Sequence, residues 1–255
     1  MTSKEHSEFQ NSRTQRIKGF GDDAPFQAAS AQWRNLSLER QYVYNFSWLG
    51  RPIIQFPQDI QATQELIWDV KPDLIIETGI AHGGSLILSA SLLALLDLCE
   101  GKDPSGGHRK VIGVDIDIRD HNRKAIEAHP MSRRIEMIQG SAIAPEIVAK
   151  VQAAAAGFGR VLVFLDSMHS HEHVLNELRA YGPMVSVGSY CVVFDTVIED
   201  MPAGHFSDRP WDVGDNPKTA VHAWLREQPN FEIDAARHDQ LMISVNPDGF
   251  LKRTS

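Results

Sequence analysis

Cysteine is scarce in this sequence: Cys99 and Cys191 are the only two in 255 residues. That excludes a disulfide-stapled scaffold. One thiol lies in a leucine-rich run and one in a hydrophobic strand, which suits reduced, buried cysteines and a cytoplasmic protein. Long hydrophobic runs are missing as well. The longest, Leu86 to Leu98, is interrupted by Ser89, Ser91 and Asp97 and is too short to span a bilayer, and the polar stretch from Met1 to Arg16 has no apolar centre of a signal peptide. No insertion into a membrane is expected. Clusters of lysine and arginine are absent and the formal charge is −8, so nothing draws the chain to nucleic acid or anionic lipid. Internal repeats and low-complexity tracts are absent too. With 42% hydrophobic and 23% charged residues, the composition is that of one large globular domain able to bury a core.

Residues 1–25 mix charge, serine and glycine without periodicity and read as a flexible arm or as a segment that docks on something else, leaving residues 26–255 as a single domain. Its first part, residues 27–59, is dense in aromatics (Trp33, Tyr42, Tyr44, Phe46, Trp48 and Phe56). Such a segment predicts an ordered lid over a cleft or an interface in a homo-oligomer, because so much exposed aromatic surface is rare on a monomer. A helix is expected from Pro57 to Val70. Apolar strands then alternate with helical stretches at Asp73–Glu77, Val111–Asp115, Ile135–Ile138, Val161–Asp166 and Tyr190–Asp195. Continuous apolar strands between helices mean a parallel sheet covered on both faces. Two further strands, Phe231–Asp234 and Leu241–Val245, lie too close in sequence for a parallel crossover and are expected to pair antiparallel.

The strongest local signal is Leu74-Ile75-Ile76-Glu77-Thr78-Gly79-Ile80-Ala81-His82-Gly83-Gly84-Ser85, a strand entering a glycine-rich turn before a helix. Beyond the carboxyl ends of parallel strands, such glycines let backbone approach a ligand; otherwise the segment is a plain tight turn. It lacks the G-x-G-x-x-G spacing of a pyrophosphate site and the Lys-Ser/Thr of a P-loop. Glu77 just before the turn suits a cationic or amino-bearing ligand and repels pyrophosphate. In Gly113-Val114-Asp115-Ile116-Asp117 an acid ends the second strand, where a carboxylate either accepts ribose hydroxyls or caps the next helix. The interval from Gly84 to Asp115 exceeds the roughly 20 residues of a dinucleotide fold. Gly140-Ser141 follows the third strand, where an adenine edge would lie.

The segment Leu165-Asp166-Ser167-Met168-His169-Ser170-His171-Glu172-His173 carries the most chemistry. Alternate histidines cannot all face one way on the helix that follows, so one catalytic histidine with two structural neighbours is the better reading than a three-histidine metal site. Asp195, followed by Thr196, ends the fifth strand beside the one that ends in Asp166. The two acids can converge on a hard cation such as Mg²⁺, or cap helices. After Glu199 a long stretch through Trp211 to Thr219 has no regular pattern and is expected to cover an acceptor, or to be a surface excursion pinned by Trp211.

Together Glu-Thr-Gly-x-Ala-x-Gly-Gly-Ser, Gly-Val-Asp-Ile-Asp, Leu-Asp-Ser-x-His-x-His-Glu-His-Val and the earlier Tyr44-Asn45-Phe46-Ser47-Trp48-Leu49-Gly50-Arg51-Pro52-Ile53-Ile54-Gln55 resemble the cephalosporin hydroxylase family over roughly Tyr42 to Lys252. The resemblance implies a Rossmann-like S-adenosylmethionine (SAM) methyltransferase sheet of five parallel strands plus a terminal antiparallel pair, acting on an oxygen of a small-molecule acceptor such as a sugar or glycosylated natural product. It implies that Glu77, Thr78, Gly79, Ala81, His82, Gly83 and Ser85 hold the methionine end of SAM. Asp115 and Ile116 then hold the ribose, and Gly140 and Ser141 the adenine side, with Asp166 beside the cofactor. By the same resemblance Mg²⁺ sits on Asp166, Asp195 and Thr196, although Thr196 stands where relatives often carry Asn or Asp and Phe194 where some carry Glu. His169, backed by Asp166, is the expected general base. Two other classes stay open: a catalytically idle SAM-binding subunit, and a nicotinamide-dependent oxidoreductase, which the absence of a Tyr-x-x-x-Lys pair disfavours.

Overall fold

A computed structural model of the chain describes residues 3–255. The expected flexible arm is instead helical, except that Met1 and Thr2 lie outside the described residues. Helix α1 spans Ser3–Asp22, and Asp23 caps α2 (Ala24–Glu39) by accepting from the amide of Phe26. Among the described side chains of α1, only Gln10, Arg13, Ile17 and Phe20 are partly buried. That stripe has helical spacing, but half of it is polar, so no apolar period marks the helix in the sequence. Arg13 ties α1 to Glu65 at 3.2 Å.

A hairpin follows, β1 (Phe46–Trp48) and β2 (Arg51–Ile53), with positive φ at both Leu49 and Gly50 in its two-residue turn. Helix α3 (Pro57–Val70) begins on Pro57 and ends at Lys71 in the left-handed conformation. The elements then alternate: β3 (Leu74–Thr78), α4 (Gly84–Cys99), β4 (Lys110–Asp115), α5 (Asp120–Glu127), β5 (Ile135–Gln139), α6 (Pro145–Ala155), β6 (Val161–Leu165), α7 (His171–Tyr181), β7 (Tyr190–Val193), α8 (Pro217–Glu227), β8 (Phe231–Ile233), α9 (Ala235–Leu241) and β9 (Phe250–Arg253).

Seven strands form one sheet in the order β5-β4-β3-β6-β7-β9-β8. The first five are parallel, and β9 runs antiparallel to both β7 and β8. Successive residues face opposite sides. Ile75, Leu162 and Val192 pack with Leu66 of α3 and Leu86 and Leu93 of α4 on one face. Ile76, Val163 and Val193 pack with Val151 of α6, Leu178 of α7 and Trp224 of α8 on the other. The helices thus cover both faces, as the uninterrupted apolar strands require.

Two expectations are corrected. The antiparallel pair exists, but its second strand is Phe250–Arg253 and not Leu241–Val245. Asp234 accepts from the amide of Arg237 and starts α9; Leu241, the last residue of that helix, is buried, as are Met242 and Val245 in the irregular chain that follows. Cys191 is buried as expected, whereas Cys99, the last residue of α4, is exposed; both thiols are free. Asp97, which looked like an interruption of an apolar run, is fully buried among Arg109 and Arg134, with Arg134 at 2.7 Å. This knot closes the amino end of the sheet, away from the cleft. Among the described residues, no helix is long and apolar enough to cross a membrane.

Candidate functional site

The strand order reverses beside β3, because the chain proceeds through β4 and β5 to one side and β6 and β7 to the other. Ligands bind at such a switch point, beyond the carboxyl ends of the strands. A cleft of about 900 Å³ opens there. Its lining includes Gly79, Ala81, His82, Ser85, Asp115, Ile116, Ser141, Asp166, His169 and Asp195, so the structure brings together most of the residues singled out from the sequence. Glu77, Thr78, Gly83, Gly140 and Thr196 do not line it. Thr78 is fully buried, and its carbonyl accepts from the Asp166 amide at 3.0 Å.

The glycine-rich turn owes its shape to its neighbours. Gly79 has φ +85°, and a Cβ there would strike the carbonyl of Asp166; Gly83 has φ +83° against the side chain of Ile126. Asp115 holds this turn from the adjacent strand. Its Oδ2 accepts from the amides of Ile80 at 2.7 Å and Ala81 at 3.4 Å, and its Oδ1 from Asp117 at 3.0 Å. It does not cap α5, whose first helical residue follows Arg119. On the outer side of the turn, the Arg51 guanidinium donates to the carbonyl of His82 at 3.0 and 2.6 Å and to Asn122 at 3.1 Å, while Asn122 donates to the carbonyl of Ala81 at 2.9 Å. Neither Arg51 nor Asn122 stood out in the sequence as a site residue. Glu77 lies beneath the turn, accepts from the hydroxyl of Ser85, and is pushed by burial up to a pKa of about 8.

At the opposite wall His169 Nε2 lies 3.1 Å from Asp195 Oδ2. Asp195 occupies the left-handed region at φ +55°, which an aspartate tolerates better than most side chains. Ligand atoms of Asp166, His169 and Asp195 all lie within 4.8 Å of one another. Thr196, expected as the third cation ligand, is not among them. It is fully buried with its hydroxyl toward the carbonyl of Val245, because the chain turns inward after Asp195, and His169 takes the place beside the two acids. The three histidines part company, His169 preceding α7 and His171 and His173 lying in its first turn. His171 pairs through Nδ1 with Thr219 at 2.8 Å, and His173 with Ser167 at 3.1 Å. Ser167 donates in turn to the buried Glu177 at 2.7 Å. Trp211, from the long segment after β7, presents an edge-to-face contact to His169 at 4.8 Å, and Arg209 stacks over Trp211 at 5.6 Å.

Loss of bulk water at the base of the cleft, followed by the charges of Asp195, Glu77, Glu177 and Asp59, holds the Asp166 carboxyl well above the usual range. Asp59 was not foreseen. Buried on α3, it accepts from Ser244 at 2.6 Å and from the Val245 amide at 3.1 Å, and burial pushes it up to about 7. Among the described residues, the only ion-pair partners of these five acids are histidines. Such a surplus of negative charge fits cationic ligands. SAM carries a sulfonium and an ammonium, and a hard divalent cation suits the oxygen-rich set at Asp166 and Asp195.

The family model described as rhamnosyl O-methyltransferase/CmcI matches residues 40–254. The rhamnosyl O-methyltransferase of Mycobacterium tuberculosis (strain ATCC 25618 / H37Rv) is 30% identical over 200 residues, covering 76% of this chain and 73% of its own. That of Mycobacterium leprae (strain TN) is 28% identical over 216 residues, covering 83% and 85%. A CmcI structure with Mg and SAM superposes with a TM-score of 0.52 at 16% identity, over 83% of this chain and 78% of that one. A Bacillus cereus O-methyltransferase with S-adenosylhomocysteine (SAH) gives 0.51 at 13% identity, over 82% of each chain. At those identities the solved structures speak for the fold, and the family rests on the sequence matches. A cleft at the switch point, a glycine turn unsuited to pyrophosphate and a matched span of nearly the whole α/β domain agree: this chain belongs to the rhamnosyl O-methyltransferase/CmcI family and is a SAM-dependent methyltransferase.

Proposed function

We propose that the enzyme methylates a hydroxyl of a sugar, free or on a glycosylated small molecule, with His169 as general base. The observation that carries this reading is the His169–Asp195 pair beside Asp166 in the cofactor cleft. The rhamnosyl activity of the mycobacterial relatives supports a deoxysugar acceptor. SAM, when bound, supplies an electrophilic methyl. Asp115, Ile116 and Ser141 line the side suited to its adenosine, and the turn from Gly79 to Ser85 the side suited to its methionine end. Asp195 accepts a hydrogen bond from the N–H of one ring nitrogen of His169, which leaves the other nitrogen to take the acceptor's proton, and the T-shaped contact with Trp211 limits the ring's rotation. His205, Phe206 and Trp211 of the long segment wall the outer cleft, where they exclude water and offer flat faces to a sugar ring.

A second reading is favoured by the convergence of Asp166, His169 and Asp195: the same groups would hold Mg²⁺. The cation would supply positive charge that lowers the hydroxyl's pKa.

One experiment separates the two, using tritiated SAM and rhamnosyl glycosides as acceptors, with SAH affinity measured in parallel. If His169 is the base, His169→Gln lowers kcat on the order of 100-fold or more and turnover survives excess EDTA. If the cation is required, EDTA abolishes turnover and Mg²⁺ restores it at nearly constant SAH affinity. A His169→Gln enzyme with normal turnover would remove the base from the proposal. The free thiols support a cytoplasmic location, and the exposed Phe26, Trp33, Leu36 and Tyr44 support self-association, which light scattering checks.

A further inference from the structure

Asp195 stands two residues beyond the end of β7 at φ +55°, a conformation that a residue with a side chain keeps only when its surroundings impose it. The chain on both sides of it is held by one irregular segment, the stretch from Ser244 to Gly249 that leads from α9 to β9. The Val193 amide donates to the Gly249 carbonyl at 2.8 Å and the Val197 amide to the Val245 carbonyl at 3.1 Å. A Cβ on Gly249 would strike the Val193 carbonyl, so the two stretches lie in close contact. An irregular segment has no ladder to hold it and needs an anchor. Asp59 of α3, 1% exposed, accepts from the Ser244 hydroxyl at 2.6 Å and from the Val245 amide at 3.1 Å, and the Ser244 oxygen accepts in turn from the Asn246 amide at 2.9 Å. The ion pairs of Asp248 with His222 and Lys218 are partly exposed and hold the segment less firmly.

Val245 thus carries a constraint across its own residue: its N–H is fixed by Asp59 and its C=O fixes Val197, two residues after Asp195. A side chain needed only to fill the space under the segment would be apolar, since burying a carboxyl costs free energy that packing alone does not return. What Asp59 adds is direction. We propose that Asp59 is a positioning residue of the active site, which acts through Val245 to set the Asp195 carboxylate against His169.

The inference rests on Asp195 acting in turnover, which both readings of the site require, as partner of His169 or as a cation ligand. The first measurement is ¹⁵N NMR of the histidine rings in the full chain without added metal, with the His169 signals assigned from His169→Gln. The wild type is expected to show His169 mainly as the tautomer with its proton on Nε2, toward Asp195. Asp59→Leu, nearly isosteric and unable to accept, is expected to mix the tautomers. Asp59→Asn is expected to preserve the wild-type signal, because its carbonyl oxygen still accepts from the Val245 amide and its NH₂ can donate to the Ser244 oxygen. In turnover of tritiated SAM with rhamnosyl glycosides, Asp59→Leu is expected to lower kcat about 10-fold or more at unchanged SAH affinity, and Asp59→Asn to stay within about 3-fold of the wild type. In an Asp195→Ala background Asp59→Leu is expected to cost nothing further. A merely structural Asp59 would lower Tm and leave the His169 signals and the kcat per SAH-binding site unchanged, which would overturn the inference. Equal losses for the Leu and Asn variants, or losses that add to that of Asp195→Ala, would overturn it too. Should Asp59→Leu fail to fold, Ser244→Ala removes one donor of the anchor and takes its place, and an unmoved His169 signal there counts against the inference in the same way. An Asp195→Ala enzyme with wild-type turnover would instead overturn the role of Asp195, and the NMR comparison would still report on Asp59.

Discussion

A carboxyl group buried without a cation holds its proton far above the usual range, and Glu77 and Asp59 are two such groups. In the unfolded chain Glu77 releases its proton near 4.5, and in the folded enzyme near 8. Between those values the folded state binds more protons than the unfolded, so stability falls as the pH rises through the window. Asp59 acts with the same sign between 3.8 and about 7. Glu77→Gln has no such proton to lose. In melting curves of the ligand-free protein its Tm is therefore expected to fall less than that of the wild type between about pH 5 and 8, and parallel curves would contradict the burial argument. Glu77 was legible in the sequence, because an acid that ends an apolar strand before glycines has few structural uses. Asp59 and Glu177 were not. Each sits on a helix among ordinary polar residues, and only the packing of α3 against Val245 and of α7 against Ser167 buries them.

At the scale of elements, the β3–α4 turn is held from two sides, by Asp115 within the sheet and by Arg51 and Asn122 outside it. Ala81 sits at φ +45° in this turn, a conformation that a side chain adopts only when its surroundings insist. Arg51→Ala removes both hydrogen bonds to the His82 carbonyl and the one to Asn122. The variant is expected to fold, since Arg51 lies at the edge of the core, and to bind SAH on the order of 10-fold more weakly by calorimetry. Affinity equal to that of the wild type would mean that Asp115 alone shapes the turn. The same hairpin explains the aromatic density of residues 27–59. Trp33, Tyr42, Phe46 and Phe56 pack on one another in T-shaped and tilted contacts at centroid distances of 5.0–6.2 Å, while Val43, Tyr44 and Gln55 turn toward the cleft.

For the whole molecule, a ligand that bridges β3, β4, β6 and the hairpin ties separate parts of the chain together and binds only the folded state. At 100 times its Kd, SAH is expected to stabilise the protein by about 2.7 kcal/mol. For a domain of this size that is a Tm rise of roughly 5–10 °C. NAD at the same concentration is expected to give none, because Glu77 and the glycine spacing disfavour a pyrophosphate. A rise with NAD and none with SAH would reverse the assignment of the cleft.

The five parallel strands, their alternation with helices and the acids at their ends were determined by the sequence alone. Their signals are local: a run of β-branched residues buried on both faces needs no partner to be recognised, and an acid or glycine at its end is read from the next position. Tertiary structure decided what local patterns cannot hold. Helix α1 forms on a stripe of Gln10, Arg13, Ile17 and Phe20 that carries no apolar period, and the last strand lies at Phe250–Arg253 because Asp234 starts a helix where a hairpin was expected. Thr196 turns inward and His169 joins the two acids for the same reason. A side chain's direction at a strand end depends on where the next segment packs, and for Asp195 that is set by Val245 and Asp59, residues far away in sequence and joined only by folding.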